Sequence, residues 1–409
     1  MLSRFLPAAA ALAALLPALG WAAPLALEQA LELAAQRSQA VRAARAGASG
    51  AADAARAAVQ LPDPMLSVGL ENVPVTGPDR FRTTTESMTM KRVGISQEWV
   101  SSEKRGLRQA AAAAQVGRED AAAQAASAEA RLQTALAYLD AYYAAEALKY
   151  TTLTEHHVHE EAQAAQARLA SSTGSSQDVL QLAAARGIAE DESADAVQVR
   201  ASALAMLQRW VGVPVDELAP PPAAAVPGEQ AYVDAHPAVV QARREVESAR
   251  AEAAATAANR KPNWTWEVSY GQRTGFPDMA SVGVRIPLPI APGQRQDRET
   301  GAKLALVEKA EATLEEAGRM ASGEYRSLAG DAQRLAQRVA RYRAGVVTPA
   351  LQRTQAALAG YRSNQVPLMT LFEARHAEVD VQRKLLNLQR ELARVQAQLA
   401  FKPIAGGAR

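Results

Sequence analysis

The sequence contains no cysteine among its 409 residues. This excludes disulfides, thiol nucleophiles and thiolate metal sites, and it provides no N-terminal cysteine for attachment of a lipid. Aromatic residues make up only 5% of the chain, and the formal net charge is +2. A nearly neutral chain without basic clusters gives no indication of nucleic-acid binding.

Long apolar runs are also missing. After the first 23 residues, no stretch reaches the roughly 18 apolar residues that a membrane-spanning helix needs. At the N-terminus, Arg4 precedes a short apolar run, and the small residues Gly20 and Ala22 follow it. This pattern predicts a secretory signal peptide over residues 1–22, and the run is short for the alternative, an N-terminal membrane anchor. We therefore expect an exported protein.

Motifs for catalysis are absent from the sequence. There is no nucleophile motif, no glycine-rich phosphate loop and no pair of carboxylates in a plausible pocket. Paired carboxylates such as Glu315 and Glu316 are expected on helix surfaces. We therefore predict neither enzyme activity nor a cofactor.

Two clusters contain side chains that can bind metals, although neither predicts a firm metal site. On a helix His156 and His159 are three residues apart, and His157 and Glu161 are four apart, so two-ligand pairs are sterically possible. A closed zinc site needs four ligands, so a polar patch is the favoured interpretation. Met88 and Met90 are predicted to share one strand face, where they could contact soft copper(I) or silver(I) ions, or serve as ordinary packing residues.

Four segments alternate between apolar and polar residues, which is typical of β-strands with one apolar face. Each has about 8–12 residues, the length of a tilted strand that crosses a bilayer, and aromatic residues lie near strand ends as in a membrane girdle. Hairpin tips are expected at residues 73–88 and 271–279. A half-buried soluble sheet would show the same alternation. The predicted apolar faces comprise Leu66, Val68 and Leu70; Val93, Ile95 and Trp99; Trp264, Trp266, Val268 and Tyr270; and Ala280, Val282, Val284, Ile286 and Leu288.

The number of strands predicts oligomerisation. Four strands cannot close a barrel, because the smallest closed barrels have about eight, and lipid does not tolerate open strand edges. If these strands span a membrane, several chains must therefore share one barrel.

Alanine-rich segments with little proline predict very long helices. Residues 105–169 could form a helix of roughly 100 Å at 1.5 Å per residue. A second long helix is predicted over residues 295–361, interrupted at most at Pro349, with partner helices over 177–211 and 368–400. Apolar residues spaced three and four apart predict a coiled-coil seam: Leu132, Leu136, Leu139 and Tyr143; Leu335, Val339, Tyr342 and Val346; Leu385, Leu388, Leu392, Val395 and Leu399.

The whole arrangement occurs twice, at an offset of about 190–200 residues, which indicates a duplicated fold unit. Two polar turns, 170–176 and 362–367, join the helix pairs and are expected at the end far from the strands. A proline-rich linker separates the copies and is expected to pack outside the helices, midway along them. The predicted organisation is a first repeat over 23–212, the linker over 213–233, a second repeat over 234–401 and a C-terminal tail over 402–409.

The duplicated strand–strand–long helix–turn–helix plan and the two tip segments, 168–180 and 359–374, resemble the TolC-type outer-membrane efflux protein family. In the second tip segment Tyr361 precedes a polar turn and then an acidic, leucine-rich helix start, as in that family. The resemblance covers essentially the whole mature chain. Residues 286–290, in which Pro287 and Pro289 mark the change from strand to helix, resemble the CzcC-type heavy-metal branch.

The resemblance implies a mainly α fold with a small membrane β part, assembled as a homotrimer. Its 12-stranded barrel would lie in outer-membrane lipid and continue as an α-helical tunnel through the periplasm. The tunnel would end in a closed iris that meets a periplasmic adaptor protein and an inner-membrane pump of the resistance-nodulation-division type. The implied function is an exit channel that passively conducts metal cations or small toxic compounds.

The family's gate positions carry over residue by residue. Thr370 and Glu373 match two acidic positions that ring the iris, so one of the two carboxylate rings is missing here. Asp178 matches an acidic position that helps to hold the iris closed. Gly174, Ser175, Asn364 and Gln365 lie in the tips and would contact the adaptor. Glu373 as a solvated helix residue is the alternative.

Two other functions stay open at the level of sequence. A type I protein-secretion channel uses the same fold, and a periplasmic coiled-coil tether with a soluble β tip would show the same helix periodicity. Membrane fractionation separates the tether from the channel, because only the channel requires detergent and assembles as a trimer.

Overall fold

The computed structural model describes residues 24–404. The predicted signal peptide, 1–22, and the end of the predicted tail lie outside the described residues. Within them, no helix combines the length and the apolar character needed to cross a bilayer.

The two halves of the chain repeat one order of elements: two helices, two strands and two long helical segments. The prediction of a mainly helical fold with a small β part is therefore confirmed. The first half comprises α1 (Leu27–Arg37), α2 (Gln39–Ala57), β1 (Met65–Glu71), β2 (Met90–Trp99), α3 (Ser102–Ala170) and α4 (Ser176–Val211). The second half comprises α5 (Glu229–Ala235), α6 (Pro237–Ala257), β3 (Trp264–Gln272), β4 (Met279–Arg285), α7 (Gln296–Tyr342), α8 (Thr348–Arg362) and α9 (Leu368–Phe401).

Local sequence signals set the ends of the long helices. Ser101 caps α3, because its hydroxyl accepts a hydrogen bond from the amide of Lys104 at 3.3 Å. Ser175 caps α4 in the same way through the amide of Gln177 at 3.1 Å. At the other end of α4, Gly212 adopts the left-handed conformation that stops a helix, with φ of 67°.

The second long helix is interrupted earlier than the sequence predicts. A single π-helical turn, Arg343–Val347, separates α7 from α8 just before Pro349. Proline has no amide hydrogen and its ring crowds the carbonyl four residues earlier, and a π turn provides the extra room. The wider turn shifts the helix face, so the prediction that Val346 lies in the seam is wrong: Val346 is exposed, and Val347 is buried instead.

The four strands form one antiparallel sheet in the order β1-β2-β3-β4. The central pair joins the two halves of the chain, with Trp99 opposite Trp264 and Ile95 opposite Val268. Strands β1 and β4 are the edges, and neither pairs with a further strand among the described residues. The predicted fourth strand is too long, since β4 ends at Arg285, two residues before Pro287.

The largest core cluster lies where the first half packs against the linker. Tyr138 of α3 is fully buried, and its hydroxyl lies 2.7 Å from the carbonyl of Leu25 and 2.6 Å from that of Ala219. Leu25 and Leu218 form an isolated parallel bridge beside it. Burial raises the pKa of Tyr138 to about 12, which keeps its hydroxyl protonated as a donor. The N-terminal segment and the linker are thus attached to α3 at one point.

Candidate functional site

One face of the sheet is apolar across all four strands and is exposed in the chain. A single row of paired residues, Leu66, Ile95, Val268 and Val282, crosses the sheet. Their exposed fractions run from 47% to 79%, although the row lies at the middle of the sheet. Large exposed apolar patches mark surfaces that contact another protein or a membrane. Pairing between strands thus gathers the four predicted apolar faces into one surface.

The opposite face carries a ladder of alternating charges, one from each strand. Arg92 binds Glu71 and Glu267, each at 2.6 Å, and Arg285 binds Glu267 at 2.5 Å. We call Glu71, Arg92, Glu267 and Arg285 the charge ladder. Small residues lie between its members, and at Gly94 a Cβ atom would meet the hydroxyl of Ser67 at 2.8 Å. The room they leave lets the long side chains reach across the sheet.

Aromatic residues and polar loops mark the two ends of the sheet. At the helix end, Trp99 and Trp264 pack with ring centroids 6.0 Å apart. At the other end lie the hairpin loops, 72–89 and 273–278, and Arg273 links them by donating to the carbonyl of Ser87 at 3.1 Å.

The two candidate methionines do not share a strand face. Met90 begins β2, and its sulfur packs over Gly271, where a Cβ atom would lie only 2.7 Å away. Met88 lies in the turn before the strand and is exposed. The prediction of a shared strand face is wrong because β2 begins at Met90, so Met88 belongs to the hairpin loop.

The two turns at the far helical end have the same backbone geometry. Each has five residues, 171–175 and 363–367, and each has a residue of positive φ at its second position, Ser172 at 59° and Asn364 at 55°. The amide of Thr173 donates to the carbonyl of Arg168 at 2.9 Å, and that of Gln365 to Gly360 at 2.8 Å. The four predicted tip residues therefore occupy matching structures at this end of the two helix pairs.

Glycine occupies reciprocal positions in these two turns. A Cβ atom on Gly174 would lie 2.9 Å from the backbone carbon of Arg168, so no side chain fits there. In the second turn the matching residues are Val366 and Gly360, and a Cβ atom on Gly360 would meet the Val366 side chain at 3.0 Å. Each turn thus brings two backbone segments into close approach and has a glycine on one side of it.

The predicted gate residues of the second tip lie on α9. Glu373 is exposed and Thr370 is partly buried, three residues apart on one face of the helix, while Leu371 and Ala374 pack toward α8. Within residues 24–404 the Glu373 carboxylate forms no ion pair. Its charge therefore faces outward from the packed helix pair.

Asp178 lies in the first turn of α4, at the third helical position. A carboxylate there interacts favourably with the unpaired amides and the dipole of the helix. It forms no side-chain hydrogen bond to another described residue of the chain. Asp178 lies on α4 and Glu373 on α9, so the two carboxylates belong to different helix pairs.

The histidine cluster on α3 divides between solvent and a helix interface. His156 lies 3.3 Å from Glu160, and His159 lies 2.9 Å from the amide of Gln163. Among the described residues, no three side chains of His, Cys, Asp or Glu come together as metal ligands. The possible pair of His157 with Glu161 does not form, because Glu161 binds an arginine of α9.

That arginine is Arg375, whose guanidinium lies 2.9 Å from the Glu161 carboxylate. Glu161 is only 4% exposed, and its second oxygen has no partner within the described chain. Burial raises the pKa of Glu161, and Arg375 opposes that rise. Burial lowers the pKa of the neighbouring His157, as does the charge of Arg375. This pair, which was not predicted from the sequence, joins the first half of the chain to the second.

Further arginines of α9 repeat this pattern. Arg383 binds Glu192 of α4 at 2.6 Å, and Arg394 binds Asp140 of α3. Arg375, Arg383 and Arg394 fall at helical spacings on one face of α9, which is the signal that could have predicted an ionic interface. The charges therefore fix α9 against the first helix pair along much of its length.

No family model matches the sequence, and no curated protein matches it. Solved structures do match the fold. The outer membrane protein VceC of Vibrio cholerae matches with a TM-score of 0.72 at 18% identity, over 92% of this chain and 96% of that chain. The CmeC outer membrane channel of Campylobacter jejuni matches with a TM-score of 0.74 at 13% identity, over 92% and 85%. The MtrE outer membrane channel of Neisseria gonorrhoeae, in its open state, matches with a TM-score of 0.70 at 16% identity, over 94% and 89%.

The chain therefore has the fold of TolC-type outer-membrane channels. The resemblance identified from the tip segments and the duplicated plan is confirmed at this level. At such low identity the match establishes the fold, and the activity has to be argued from the chain's own residues.

Proposed function

We propose that this protein is the outer-membrane exit channel of a tripartite efflux system. Three copies would form one barrel in the outer membrane, and their helices would line a tunnel through the periplasm. The chain would be exported after removal of residues 1–22, with repeats over 23–212 and 234–401 joined by the linker, 213–233.

The observation that carries this proposal is the two-faced sheet with open edges. Its exposed apolar face has the character of a lipid-facing surface, and its other face carries the charge ladder, as expected for a water-filled interior. Within residues 24–404, the outer edges of β1 and β4 pair with no further strand, and in lipid every backbone group must be paired. Assembly of several copies into a closed barrel satisfies both requirements.

The far helical end supports contact with a periplasmic adaptor. Its two turns are exposed, similar in structure and polar, and they lie at the end of the helices opposite to the sheet. In this proposal Gly174, Ser175, Asn364 and Gln365 meet the adaptor, and an inner-membrane pump of the resistance-nodulation-division type supplies the energy.

The proposed cargo is metal cations or small toxic compounds. The exposed carboxylate of Glu373 would occur three times around the narrow tunnel end, and a ring of carboxylates in a confined throat favours cations. Thr370 would add no second charged ring. Because one ring of carboxylates selects less strongly than two, the channel's preference among cargoes would be loose.

Membrane fractionation with a mass measurement tests this proposal. After expression in a Gram-negative host, we expect the protein in the outer-membrane fraction, soluble only in detergent, with the mass of three chains by light scattering. A water-soluble monomer or dimer in the periplasmic fraction would refute the channel and support the coiled-coil tether.

Transport needs a separate assay with a matched control. In a host that lacks its own exit channel and carries a compatible pump and adaptor, the chain should lower the accumulation of the pump's cargo. A variant with an arginine on the lipid face, Val284→Arg, should not. Equal accumulation with the wild-type chain and with no channel would contradict the proposed role.

A further inference from the structure

The helices toward the far end form a layer whose two outer members are α4 and α7–α8. Helix α4 packs against α3, α3 packs against α9, and α9 packs against α7 and α8. The order α4, α3, α9, α7–α8 parallels the order of the strands from β1 to β4, and β4 leads directly into α7. Closing a barrel between β4 of one copy and β1 of the next therefore also brings α7–α8 of the first copy beside α4 of the second.

The α7–α8 side of the layer is basic over a long stretch. Between Asp331 and Glu373 the sequence has six arginines and no acidic residue. Arg341 and Arg343 are exposed and form no ion pair within residues 24–404. Arg341 lies about 200° around the helix from the partly buried Val339, so its charge points away from the packed side. We call Arg341 and Arg343 the basic patch.

The α4 side of the layer carries an acidic cluster. Four carboxylates fall within six residues: Glu190, Asp191, Glu192 and Asp195. Glu190 and Glu192 bind arginines of the same chain, whereas Asp191 and Asp195 are exposed and have no ion pair among the described residues. Asp191 lies about 200° around the helix from the buried Ala189, and so points away from α3. We call Asp191 and Asp195 the acidic patch.

The cations of α4 near this patch are already bound. Arg186 binds Glu190 at 2.7 Å, and Arg200 donates to the backbone carbonyl of Asp216 at 3.0 Å. Between Arg186 and Arg200 the sequence has no lysine or arginine. The acidic patch therefore keeps a net negative charge toward a neighbouring molecule.

Heights along the helices can be counted from the two tips, because the two helix pairs end at similar levels. Glu192 of α4 and Arg383 of α9 bind each other at 2.6 Å. They lie about 16 and 15 residues, respectively, from the starts of their helices at the tips. Equal counts thus correspond to nearly equal heights in the first and second halves of the chain.

By this count the two patches lie at overlapping heights. Asp191 and Asp195 lie about 15 and 19 residues after the start of α4, or roughly 22–28 Å from the tip at 1.5 Å per residue. Arg343 and Arg341 lie about 19 and 21 residues before the end of α8, or roughly 28–32 Å from the tip. Neighbouring helices pack about 8–10 Å apart, a gap that arginine and aspartate side chains can bridge.

We propose that the basic patch of one copy contacts the acidic patch of the neighbouring copy, and that these charges select a head-to-tail ring. This inference rests on the proposed function, because it requires the copies to share one barrel. Contact between two identical sides would place like charges together, which costs free energy. Contact between unlike sides is attractive, and its repetition generates a closed ring.

Charge reversal tests this contact. Asp191→Arg/Asp195→Arg makes the patch on α4 basic, and Arg341→Asp/Arg343→Asp makes the opposing patch acidic. The temperature at which detergent-solubilised trimers dissociate is measured by light scattering for each variant and for the fourfold variant. We expect each reversal to lower this temperature and the fourfold variant to recover most of the loss, because the patches lie on opposite sides of the layer within one chain and meet only between copies.

The matched control combines Asp191→Arg/Asp195→Arg with Arg80→Asp/Arg82→Asp. Arg80 and Arg82 are exposed in the hairpin loop 72–89, so this variant has the net charge of the fourfold variant without its contact. Equal recovery in the control, or no recovery in the fourfold variant, would overturn the inference and leave a trimeric channel intact. Monomers of the wild-type chain would instead refute the proposed function itself.

A double-mutant cycle with neutral substitutions decides the question if none of the reversed variants assembles. Asp195→Asn and Arg343→Gln each remove one charge, and the dissociation temperature is measured for both and for the double variant. A direct contact between copies makes the loss in the double variant smaller than the sum of the single losses. Additive losses would contradict the contact.

Discussion

Glu161 of α3 and Arg375 of α9 form a buried ion pair with a distance of 2.9 Å, which joins the two halves of the chain near the far helical end. Replacing one member leaves the other charge buried without its partner. We expect Arg375→Ala to lower the free energy of unfolding by about 3–5 kcal/mol. Unfolding of the detergent-solubilised protein, followed by circular dichroism, measures the change.

The control for this variant is Arg319→Ala. Arg319 also binds glutamates, Glu315 and Glu316, but all three side chains are largely exposed. An exposed pair contributes at most about 1 kcal/mol, so this variant should unfold almost as the wild type does. Equal losses in the two arginine variants would show that burial of Glu161 has no energetic consequence.

The same interface predicts a dependence on pH through His157. Burial, followed by the charge of Arg375, lowers the pKa of His157, while Glu160 and Glu378 oppose this and His156 adds to it. Because the folded pKa lies below the unfolded value of about 6.5, the stability from neutral His157 is complete above that pH. It is lost as the pH falls through the folded pKa. His236, whose pKa is also lowered, acts in the same direction.

We therefore expect His157→Gln to reduce the loss of stability below about pH 6.5 relative to the wild type. Melting temperatures of both proteins across the acid range provide the test. The titration of Glu161 does not interfere with this comparison. Its pKa is raised, so the stability that it contributes is lost as the pH rises, and this effect is the same in both proteins. Parallel pH profiles would mean that His157 is equally solvated in the folded and unfolded chains.

The reciprocal glycines of the two turns predict a rescue. Gly174→Val places a side chain against Arg168, so this variant strains the turn itself and is not a clean probe of adaptor contact. The second turn tolerates Val366 because Gly360 lies opposite. We expect Gly360→Ala to impair export, because its Cβ atom would meet the Val366 side chain at 3.0 Å, and Gly360→Ala/Val366→Ala to restore part of it.

Export by the two variants, at matched amounts of folded protein, measures this effect. A double variant no better than Gly360→Ala would contradict the close approach of Val366 to Gly360. Gln365 is exposed and its side chain is not among the close contacts at Gly360, so it is the better site for testing contact with the adaptor.

Much of this fold could be predicted from the sequence, because its signals are local. Alternation with a period of two identified all four strands, and the lack of proline identified α3 within three residues at its start and one at its end. The end of β4 was less accurate, because apolar residues such as Leu288 continue the alternation beyond the last paired residue.

The rest depended on contacts between distant segments. Helices α1, α2, α5 and α6 precede the strands and were not predicted, although Leu27, Ala30, Leu31 and Ala34 follow a helical period. The ion pair of Arg92 with Glu267 joins residues 175 positions apart, and its prediction requires the register between β2 and β3. The π turn before Pro349 changes a helix face by one residue, which periodicity alone cannot reveal.

The gate hypothesis predicts a change in ion selectivity. In the proposed trimer, Glu373→Gln removes a ring of three carboxylates from the tunnel end and should lower the preference for cations over anions. Thr370→Asp should raise it and strengthen blockade by multivalent cations. Asp178→Ala should raise the resting conductance if Asp178 helps to hold the iris closed. Reversal potentials and current levels in planar bilayers measure all three, and unchanged selectivity in Glu373→Gln would remove Glu373 from the gate.

The two faces of the sheet predict opposite tolerance of charge. Val268→Arg and Val284→Arg place a charge on the apolar face and should reduce trimer yield, since an arginine facing lipid near the bilayer midplane costs about 2–4 kcal/mol. Ser281→Arg lies on the same strand as Val284 but on the polar face, so it should assemble normally. Wild-type yields from all three variants would indicate that the apolar face does not contact lipid.

The central claim, that this chain forms a channel through a membrane, is tested most directly by conductance. Purified protein is added to a planar lipid bilayer, and the current is recorded at fixed voltage. We predict discrete steps of uniform size, which Val284→Arg abolishes and Ser281→Arg preserves. The recording is made with wild-type trimers and with trimers of Asp178→Ala, in which the tip gate should be looser. If neither protein conducts under conditions in which a known outer-membrane channel does, the account is contradicted.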